Sequence, residues 1–374
     1  MIQIKNGLVY DSDFTFVHKD LFIEKNIIVE PTTDTVEQII DAQGWYVIPG
    51  LIDIHTHGAC GHDFMEGNCQ SVKAITEYEA AHGITSVCAT TMTMPYEDVE
   101  KVSECAATYT PASNESSVEG IYMEGPFVSP QRAGAQNPRY LRSPDAQFVI
   151  DLENKYHNIK FVALAPELEN GLETVRRLHE KKIRTAIAHT QSDFEQASDA
   201  IKAGANHVTH LFNAMPPFLH RNPGPIAAAA DSDFCEVELI CDGIHLHPAA
   251  VRAAFKMFDV EEIIFISDSM MATGLDDGIY SLGGLEVHME KNKATLGDGT
   301  LAGSATNLFN CMVTAVKTMG IPLEKAIRCC TYNPAKSIGI HHLAGSLEAD
   351  KRADLLFLDR ELNLKGVMLR GNML

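Results

Sequence analysis

The sequence lacks the features typical of nucleic-acid-binding, membrane-spanning and disulfide-stabilised proteins. It has no long run of lysine or arginine, and its formal net charge is −20, which argues against nucleic acid and anionic membrane as partners. No apolar run approaches the roughly 20 residues that a membrane-spanning helix needs, and no apolar signal segment opens the chain. The nine cysteines are an odd number without C-x-x-C spacing, so we expect free thiols in a reducing, cytoplasmic compartment.

A chain of 374 residues can bury a large core, with one big domain and a smaller one. Residues 1–49 read as short strands without a convincing helix, so they cannot cover both faces of a sheet alone. Strand-like segments recur at 353–358 and 366–370. We therefore predict a small β-sandwich domain built from both chain termini, 1–49 and 341–374, with a catalytic domain, 50–340, inserted between them. The alternative is a strand layer that decorates the main domain.

Residues 50–340 alternate between strand-like and helix-like segments. The strand-like runs lie near 51–57, 84–91, 118–124, 159–165, 184–189, 207–212, 235–241 and 263–267. The helix-like stretches lie near 70–82, 95–108, 144–155, 170–181, 193–203, 225–230, 248–257 and 304–319. Eight such units predict an α/β fold, a TIM-like (β/α)8 barrel. A doubly wound sheet is disfavoured because no glycine-rich phosphate loop follows the first strand. Glycine pairs frame a predicted β-hairpin insertion at 279–300.

The first barrel strand ends in His55-Thr56-His57. Successive side chains of a strand point to opposite faces, so we expect His55 and His57 to share one face. Two imidazoles at the carboxyl end of a buried strand form half of a metal site. The alternative is a pair of structural histidines that alternate by chance, and the other strand ends decide between the two interpretations.

Four other predicted strands also end in a polar side chain: Glu124, His189, His210 and Asp268. A single one of these could be a core polar group, but their coincidence at the end of the barrel where active sites lie indicates a metal site. Imidazole and carboxylate ligands suit Zn²⁺ first, with Fe²⁺, Co²⁺ or Mn²⁺ as alternatives. A bound ion lowers the pKa of its water towards about 7, and Asp268 is the natural general base. The sequence therefore predicts metal-assisted hydrolysis.

Four longer motifs carry a resemblance to a known family. They are Met-Glu-Gly-Pro-Phe at 123–127, Leu-Phe-Asn-Ala-Met at 211–215, Cys-Asp-Gly-Ile-His at 241–245 and Leu-Ala-Gly-Ser at 301–304. With the strand-end pattern, they resemble the N-acetylglucosamine-6-phosphate deacetylases of the metal-dependent amidohydrolase superfamily. The similarity covers essentially the whole chain, and these motifs are much more specific than the His-x-His pair.

The resemblance implies a role for each motif residue. Glu124, His189 and His210 would be the primary metal ligands, and His55 and His57 would decide whether each subunit binds one ion or two. Metal-bound hydroxide would attack the acetyl group of N-acetyl-D-glucosamine 6-phosphate, with the Asp268 carboxylate as base and acid, giving acetate and D-glucosamine 6-phosphate. The positions matched to substrate contacts are Ala135, Gln136, Asn213, Ala214, Arg221, Asp242, His245, Leu301, Ala302 and Gly303.

The resemblance leaves some points open. In the family, the residue at Arg221 reaches the neighbouring subunit's site, which implies a homodimer. Some members polarise the substrate carbonyl with a histidine where this chain has Gln136, so that role is unassigned. The same reaction on N-acetylgalactosamine 6-phosphate is an alternative, and so is a catalytically silent metal-binding protein. A cyclic-amide amidohydrolase is disfavoured, because Lys160 lies at the wrong end of the fourth strand for a metal-bridging lysine.

Overall fold

The computed structural model describes residues 1–31 and 35–374. Its strands are β1 (Ile2–Lys5), β2 (Leu8–Tyr10), β3 (Phe16–His18), β4 (Leu21–Glu24), β5 (Ile27–Val29), β6 (Gln38–Asp41), β7 (Tyr46–Pro49), β8 (Leu51–Thr56), β9 (Gly58–Ala59), β10 (His62–Asp63), β11 (Ile84–Thr90), β12 (Ser117–Glu124), β13 (Ile159–Leu164), β14 (Thr185–Ile187), β15 (His207–Val208), β16 (Glu236–Ile240), β17 (Ile263–Ile266), β18 (Gly278–Leu282), β19 (Leu285–Glu290), β20 (Lys293–Thr295), β21 (Leu355–Leu358), β22 (Leu364–Leu369) and β23 (Asn372–Met373). Its α-helices are α1 (Cys69–Ala81), α2 (Tyr96–Thr108), α3 (Ala146–Tyr156), α4 (Gly171–Glu180), α5 (Phe194–Ala203), α6 (Gly224–Ala230), α7 (Pro248–Met257), α8 (Leu308–Lys317), α9 (Leu323–Cys330) and α10 (Tyr332–Ser337).

The main sheet is the predicted (β/α)8 barrel. Eight parallel strands follow one another in the order β8, β11, β12, β13, β14, β15, β16 and β17. The ring closes between its last and first strands, where the backbone N–H of Asp268 donates to the carbonyl oxygen of His55 at 3.0 Å. With a second hydrogen bond, from the His57 N–H to the Ser269 carbonyl at 2.8 Å, this contact places the ends of the two strands side by side.

The barrel strands are buried on both faces, which explains their nearly continuous apolar sequences. Tyr122, Phe161 and Ile264 belong to one hydrophobic cluster. Their neighbours Ile121 and Val162 belong to another, which also contains the apolar residues of the surrounding helices. Alternate residues therefore fill the barrel and hold the helices around it. The packed barrel consequently holds the backbone at the strand ends, and with it the polar residues there, in fixed positions.

Two barrel strands are shorter than the sequence predicts. We expected strands near 184–189 and 207–212, but β14 ends at Ile187 and β15 at Val208. The chain leaves the sheet there because the following site residues adopt a left-handed backbone, which cannot continue a strand. His189 and His210 consequently lie on turns just beyond their strands.

A smaller β unit combines both ends of the chain. A six-stranded sheet has the order β23, β22, β21, β7, β2 and β3, and a four-stranded sheet has the order β5, β4, β1 and β6. Residues of both sheets, including Ile4, Ile23 and Phe357, share one hydrophobic core. The predicted sandwich from both termini is therefore present. The boundaries 1–49, 50–340 and 341–374 stay a prediction.

Two features beyond the last barrel strand differ from the expectation. The insertion predicted as a hairpin is a three-stranded antiparallel sheet, β18, β19 and β20, because a second turn at Lys291-Asn292 returns the chain once more. Helices α9 and α10, which no predicted segment covered, follow α8. In the described residues, no helix is both long and apolar enough to cross a membrane.

Candidate metal centre and substrate cavity

The side chains predicted to hold a metal converge on Glu124 at the carboxyl end of the barrel. Glu124 Oε1 lies 3.2 Å from His189 Nε2 and 3.1 Å from His210 Nε2. The first-strand pair faces the same carboxylate, with His55 Nε2 3.6 Å from Oε1 and His57 Nε2 3.4 Å from Oε2. Two three-residue groups could thus hold a cation, and Glu124 belongs to both.

Three site residues have an unusual backbone conformation. His189, His210 and Asp268 have φ values of 42°, 30° and 49°, in the left-handed region that non-glycine residues rarely occupy. Such residues cost of order 1–3 kcal/mol each and cluster at active sites. Backbone hydrogen bonds hold the turns: the N–H of Ser129 donates to the carbonyl of His189, and that of Asn213 to the carbonyl of His210. Hydrogen bonds from the loop after β12 and from within the His210 turn therefore support two of these strained residues.

The donor atoms of this cluster fit a divalent cation. His189 Nε2 and His210 Nε2 lie only 3.1 Å apart, and both are buried. His55 Nε2 is buried and has no hydrogen-bond partner among the described residues. Ring nitrogens and carboxylate oxygens in this arrangement are the ligands that Zn²⁺ and related ions prefer. A bound cation would provide a partner for the buried His55 Nε2, which has none among the described residues.

The electrostatics of the cluster favour bound positive charge. Burial alone would raise the pKa of Glu124, but the His55 and His189 imidazoles hold it well below its ordinary value. Burial would also raise the pKa of Asp268, yet its contact with His57 lowers it. Burial would lower the pKa of His57, but Asp268 and Glu124 raise it to about 9. Two buried carboxylates thus remain ionised beside the histidines.

Hydrogen bonds with residues around the cluster orient the candidate ligands. His189 Nδ1 donates to the carbonyl of Arg132 at 2.8 Å, which leaves the lone pair on Nε2, facing Glu124. The Gln136 side-chain amide donates to Glu124 Oε2 at 2.6 Å. On the inner face of the barrel, Glu238 Oε2 lies 3.0 Å from His55 Nδ1. Partners of this kind set ring tautomers and ligand orientation in metal sites.

A cavity of about 440 Å³ opens above the cluster. Asp268 and the Glu124, His57, His189 and His210 side chains line its floor. The predicted substrate-binding residues that line it are Ala135, Gln136, Asn213, Ala214, His245, Leu301 and Gly303. The volume is sufficient for a small polar ligand.

Three predicted substrate-binding residues lie outside the cavity lining. Asp242 is behind His245, with its Oδ2 2.7 Å from the ring Nδ1. Ala302 is fully buried beneath the lining. Arg221 is exposed on a neighbouring groove. Its assignment as a contact across a subunit interface stays a prediction.

Sequence reasoning missed several residues of the site. Arg132, Met92, Leu282 and Thr300 also line the cavity, and Glu238 supports His55 from within the barrel. Leu282 and Thr300 come from the insertion after the last strand, whose contact with the cavity has no signal in the sequence. Glu238 had one: a carboxylate in the middle of a buried barrel strand has to face a buried partner.

Comparison with known proteins identifies the class to which this site belongs. The model of the amidohydrolase family matches residues 46–374, and the chain belongs to that family. Within it, the chain is 36% identical over 374 residues to the N-acetylglucosamine-6-phosphate deacetylase of Bacillus subtilis, covering 99% of this chain and 93% of that one. The chain thus belongs to the N-acetylglucosamine-6-phosphate deacetylase family, as its motifs predict.

Other relatives include a second sugar specificity and a liganded structure. An N-acetylgalactosamine-6-phosphate deacetylase of Escherichia coli O157:H7 is 32% identical over 327 residues, covering 87% of this chain and 86% of that one. A mutant N-acetyl-D-glucosamine-6-phosphate deacetylase from Mycobacterium smegmatis, solved in complex with N-acetyl-D-glucosamine-6-phosphate, is 30% identical with a TM-score of 0.90. The match covers 100% of this chain and 98% of that one. The predicted fold class is confirmed.

Proposed function

We propose that the protein hydrolyses the acetamide bond of N-acetyl-D-glucosamine 6-phosphate, releasing acetate and D-glucosamine 6-phosphate. The observation that carries the proposal is the position of Glu124 between two histidine pairs, with the Asp268 carboxylate beside it on the floor of the cavity. The family to which the chain belongs supports the choice of substrate.

The chain's own residues define where a metal would act. Glu124, His189 and His210 would hold one divalent ion, and His55 and His57 would share Glu124 in holding a second. Zn²⁺ is the first choice for these ligands, with Fe²⁺, Co²⁺ or Mn²⁺ as alternatives. When bound, such an ion supplies a Lewis acid for the amide carbonyl and acidifies water at neutral pH.

Asp268 carries the proton during the reaction. Its Oδ1 lies 3.2 Å from His57 Nε2 and 3.6 Å from His55 Nε2, so its Oδ2 is the atom left for proton transfer. The lowered pKa of Asp268, which its contact with His57 maintains against burial, keeps the carboxylate in its basic form. Oδ2 accepts a proton as the water oxygen bonds to the carbonyl carbon, and returns it to the nitrogen as the C–N bond breaks.

The substrate phosphate requires positive charge in a chain whose net charge is −20. Arg132 is the one arginine or lysine among the described residues that line the cavity, and a guanidinium binds phosphate as a bidentate fork. Burial would lower the pKa of His245, but its hydrogen bond with Asp242 raises it. The His245 ring, held at Nδ1 by that carboxylate, presents Nε2 to the sugar phosphate.

We also propose a homodimer in which Arg221 enters the partner's site. Arg221 is exposed, and the neighbouring Phe218 and Leu219 residues are each 51% exposed, which suits a surface that another subunit covers.

We also propose that the protein works in the reducing cytoplasm. The nine cysteines are free thiols, and seven of them are buried, which supports this compartment. We further propose the domain boundaries at 49/50 and 340/341.

A second candidate substrate is N-acetylgalactosamine 6-phosphate, because the relative from Escherichia coli O157:H7, 32% identical, is an N-acetylgalactosamine-6-phosphate deacetylase. The two sugars differ only in the configuration of the C4 hydroxyl. The proton-transfer residue and the candidate metal ligands would perform the same chemistry on either substrate, so only the cavity wall would distinguish them.

The test is acetate release by Zn²⁺-loaded protein from both N-acetylhexosamine 6-phosphates and from unphosphorylated N-acetylglucosamine. We expect the highest kcat/KM for N-acetylglucosamine 6-phosphate. A higher value for the galactosamine compound would select the second candidate. Preference for the unphosphorylated sugar, or no acetate from any of the three, would overturn the proposed function.

A further inference from the structure

A chain of buried ionisable side chains runs through the barrel beneath the candidate metal centre. Glu238, on β16, is fully buried. Its Oε2 lies 3.0 Å from His55 Nδ1, and its Oε1 lies 2.8 Å from His207 Nε2. These residues are far apart in sequence, and the barrel brings them together. The contact to His55 lies on the side of the ring that faces away from Glu124.

The protonation of His207 follows from its two partners. Its Nε2 faces Glu238, and its Nδ1 lies 3.2 Å from Glu236 Oε2. Only a ring protonated at both nitrogens can donate to two carboxylates. Arg184 Nη2 and the Ser337 hydroxyl also donate to Glu236 Oε2, each at 2.6 Å. Two cations thus balance two carboxylates inside the barrel, and Glu238 stays ionised despite its burial.

An ionised Glu238 selects one tautomer of His55. A carboxylate can only accept a hydrogen bond, so His55 carries its proton on Nδ1. The lone pair is then on Nε2, which faces Glu124 and the Asp268 side chain at 3.6 Å each. Glu238 Oε2 also accepts the backbone N–H of His210 at 3.1 Å. One carboxylate therefore supports a histidine from each half of the candidate metal centre.

We propose that Glu238 is a positioning residue of the metal centre, acting through the tautomer of His55 and the backbone of His210. The inference rests on the proposed function, because it presupposes that these histidines are ligands. His207 keeps Glu238 charged without contacting the site. In Glu236→Gln the amide oxygen can still accept the His207 Nδ1 proton, so the charge of Glu238 does not depend on Glu236. Carboxylates that accept the second ring N–H of a ligand histidine typically strengthen metal binding 10–100-fold.

The experiment measures Zn²⁺ affinity with a chelator-buffered zinc series for native protein, Glu238→Gln and Glu236→Gln. The two substitutions are the same change on the same strand, but Glu236 contacts neither histidine ligand. We expect Glu238→Gln to weaken at least one zinc site about 10–100-fold, and Glu236→Gln to retain native affinity. Native affinity at every site of a folded Glu238→Gln variant overturns the proposal. Equal weakening in both variants also does, because it would indicate a general effect on the barrel.

A second variant keeps the test decisive if Glu238→Gln does not fold. Glu238→Asp preserves the negative charge beside His207 but withdraws the carboxylate from both the His55 and the His207 rings. We expect weakened zinc binding with a melting temperature close to native, and unchanged zinc binding would again overturn the proposal. Because zinc affinity is measured without substrate, a failure here is distinct from a failure of the deacetylase assignment, which acetate release by native protein tests.

Discussion

The side-chain amide nitrogen of Gln136 lies 2.6 Å from Oε2 of Glu124. The backbone N–H of Thr93 donates to Gln136 Oε1 at 2.7 Å, which determines the orientation of the amide. The sequence left open whether Gln136 takes the carbonyl-polarising role of a histidine in some relatives. Since its N–H is directed at Glu124, we infer that Gln136 holds the central carboxylate instead.

Removing this hydrogen bond tests the role of Gln136. We expect Gln136→Leu to weaken Zn²⁺ binding about tenfold, because a supporting partner of a ligand typically contributes 10–100-fold. Gln131→Leu is the control, since Gln131 also lines the cavity but is exposed and, among the described residues, accepts from Ser129 only. Zinc affinities from equilibrium dialysis provide the comparison. Equal affinities in the two variants would contradict the role given to Gln136.

The number of bound ions tests the role of the first-strand histidines. We predict that native protein binds two Zn²⁺ ions per subunit and that a His55→Gln/His57→Asn variant binds one, because Glu124 belongs to both candidate groups. Metal analysis after gel filtration provides the count. The same number of ions in both proteins would mean that the pair holds no metal.

The contribution of Arg132 to phosphate binding can be read from steady-state kinetics. We expect Arg132→Met to raise KM for the phosphorylated sugar about tenfold or more and to change kcat little, because a charge-assisted hydrogen bond contributes about 1.5–3 kcal/mol. Arg139→Met is the control, since Arg139 is exposed and outside the cavity lining. The same effect of both substitutions on KM would contradict the proposed contact between Arg132 and the substrate phosphate.

Glu79, on α1, predicts a pH dependence of stability. It is fully buried, and neither carboxylate oxygen has a hydrogen-bond partner in the described parts of the chain. Burial, with a smaller effect of Asp53, raises its pKa well above the ordinary 4.5. A carboxyl with a raised pKa in the native state contributes stability that is fully present below pH 4.5 and is lost as the pH rises through the raised value.

The neutral isostere should therefore stabilise the protein only at higher pH. We expect Glu79→Gln to raise the melting temperature at pH 8 by about 1–2 °C, equivalent to about 1 kcal/mol, and to leave it unchanged at about pH 4, where the native glutamic acid is already neutral. Each variant is compared with native protein at the same pH. Glu77→Gln, on the same helix but half-exposed, should change little at either pH. A larger gain in melting temperature at pH 4 than at pH 8 would contradict the inferred upward shift of the Glu79 pKa.

Local sequence predicts the barrel and its strand ends because each barrel strand is an apolar run with a clear stop. Glu124 terminates β12 as expected, and the carboxylate of Asp268 follows β17. The resulting approach of the histidines depends on backbone angles that residue types do not determine. The 3.1 Å separation of the His189 and His210 Nε2 atoms follows from two left-handed turns.

Contacts across the barrel were beyond prediction for a different reason. His55 and Glu238 are 183 residues apart, and strand alternation shows that each is buried but not which residue it faces. The insertion strands contribute to the cavity through tertiary packing alone. A contact between subunits, as inferred for Arg221, cannot be placed from one chain.

The most direct test of the account is acetate release from N-acetyl-D-glucosamine 6-phosphate by native protein and by Asp268→Asn, both loaded with Zn²⁺. The substitution removes the proton-accepting carboxylate while preserving its shape. We predict the same zinc content and a similar KM, with kcat lower by about 10²–10⁴-fold. Near-native kcat in the Asp268→Asn variant would contradict the proposed mechanism, and no acetate from the native protein would contradict the proposed function.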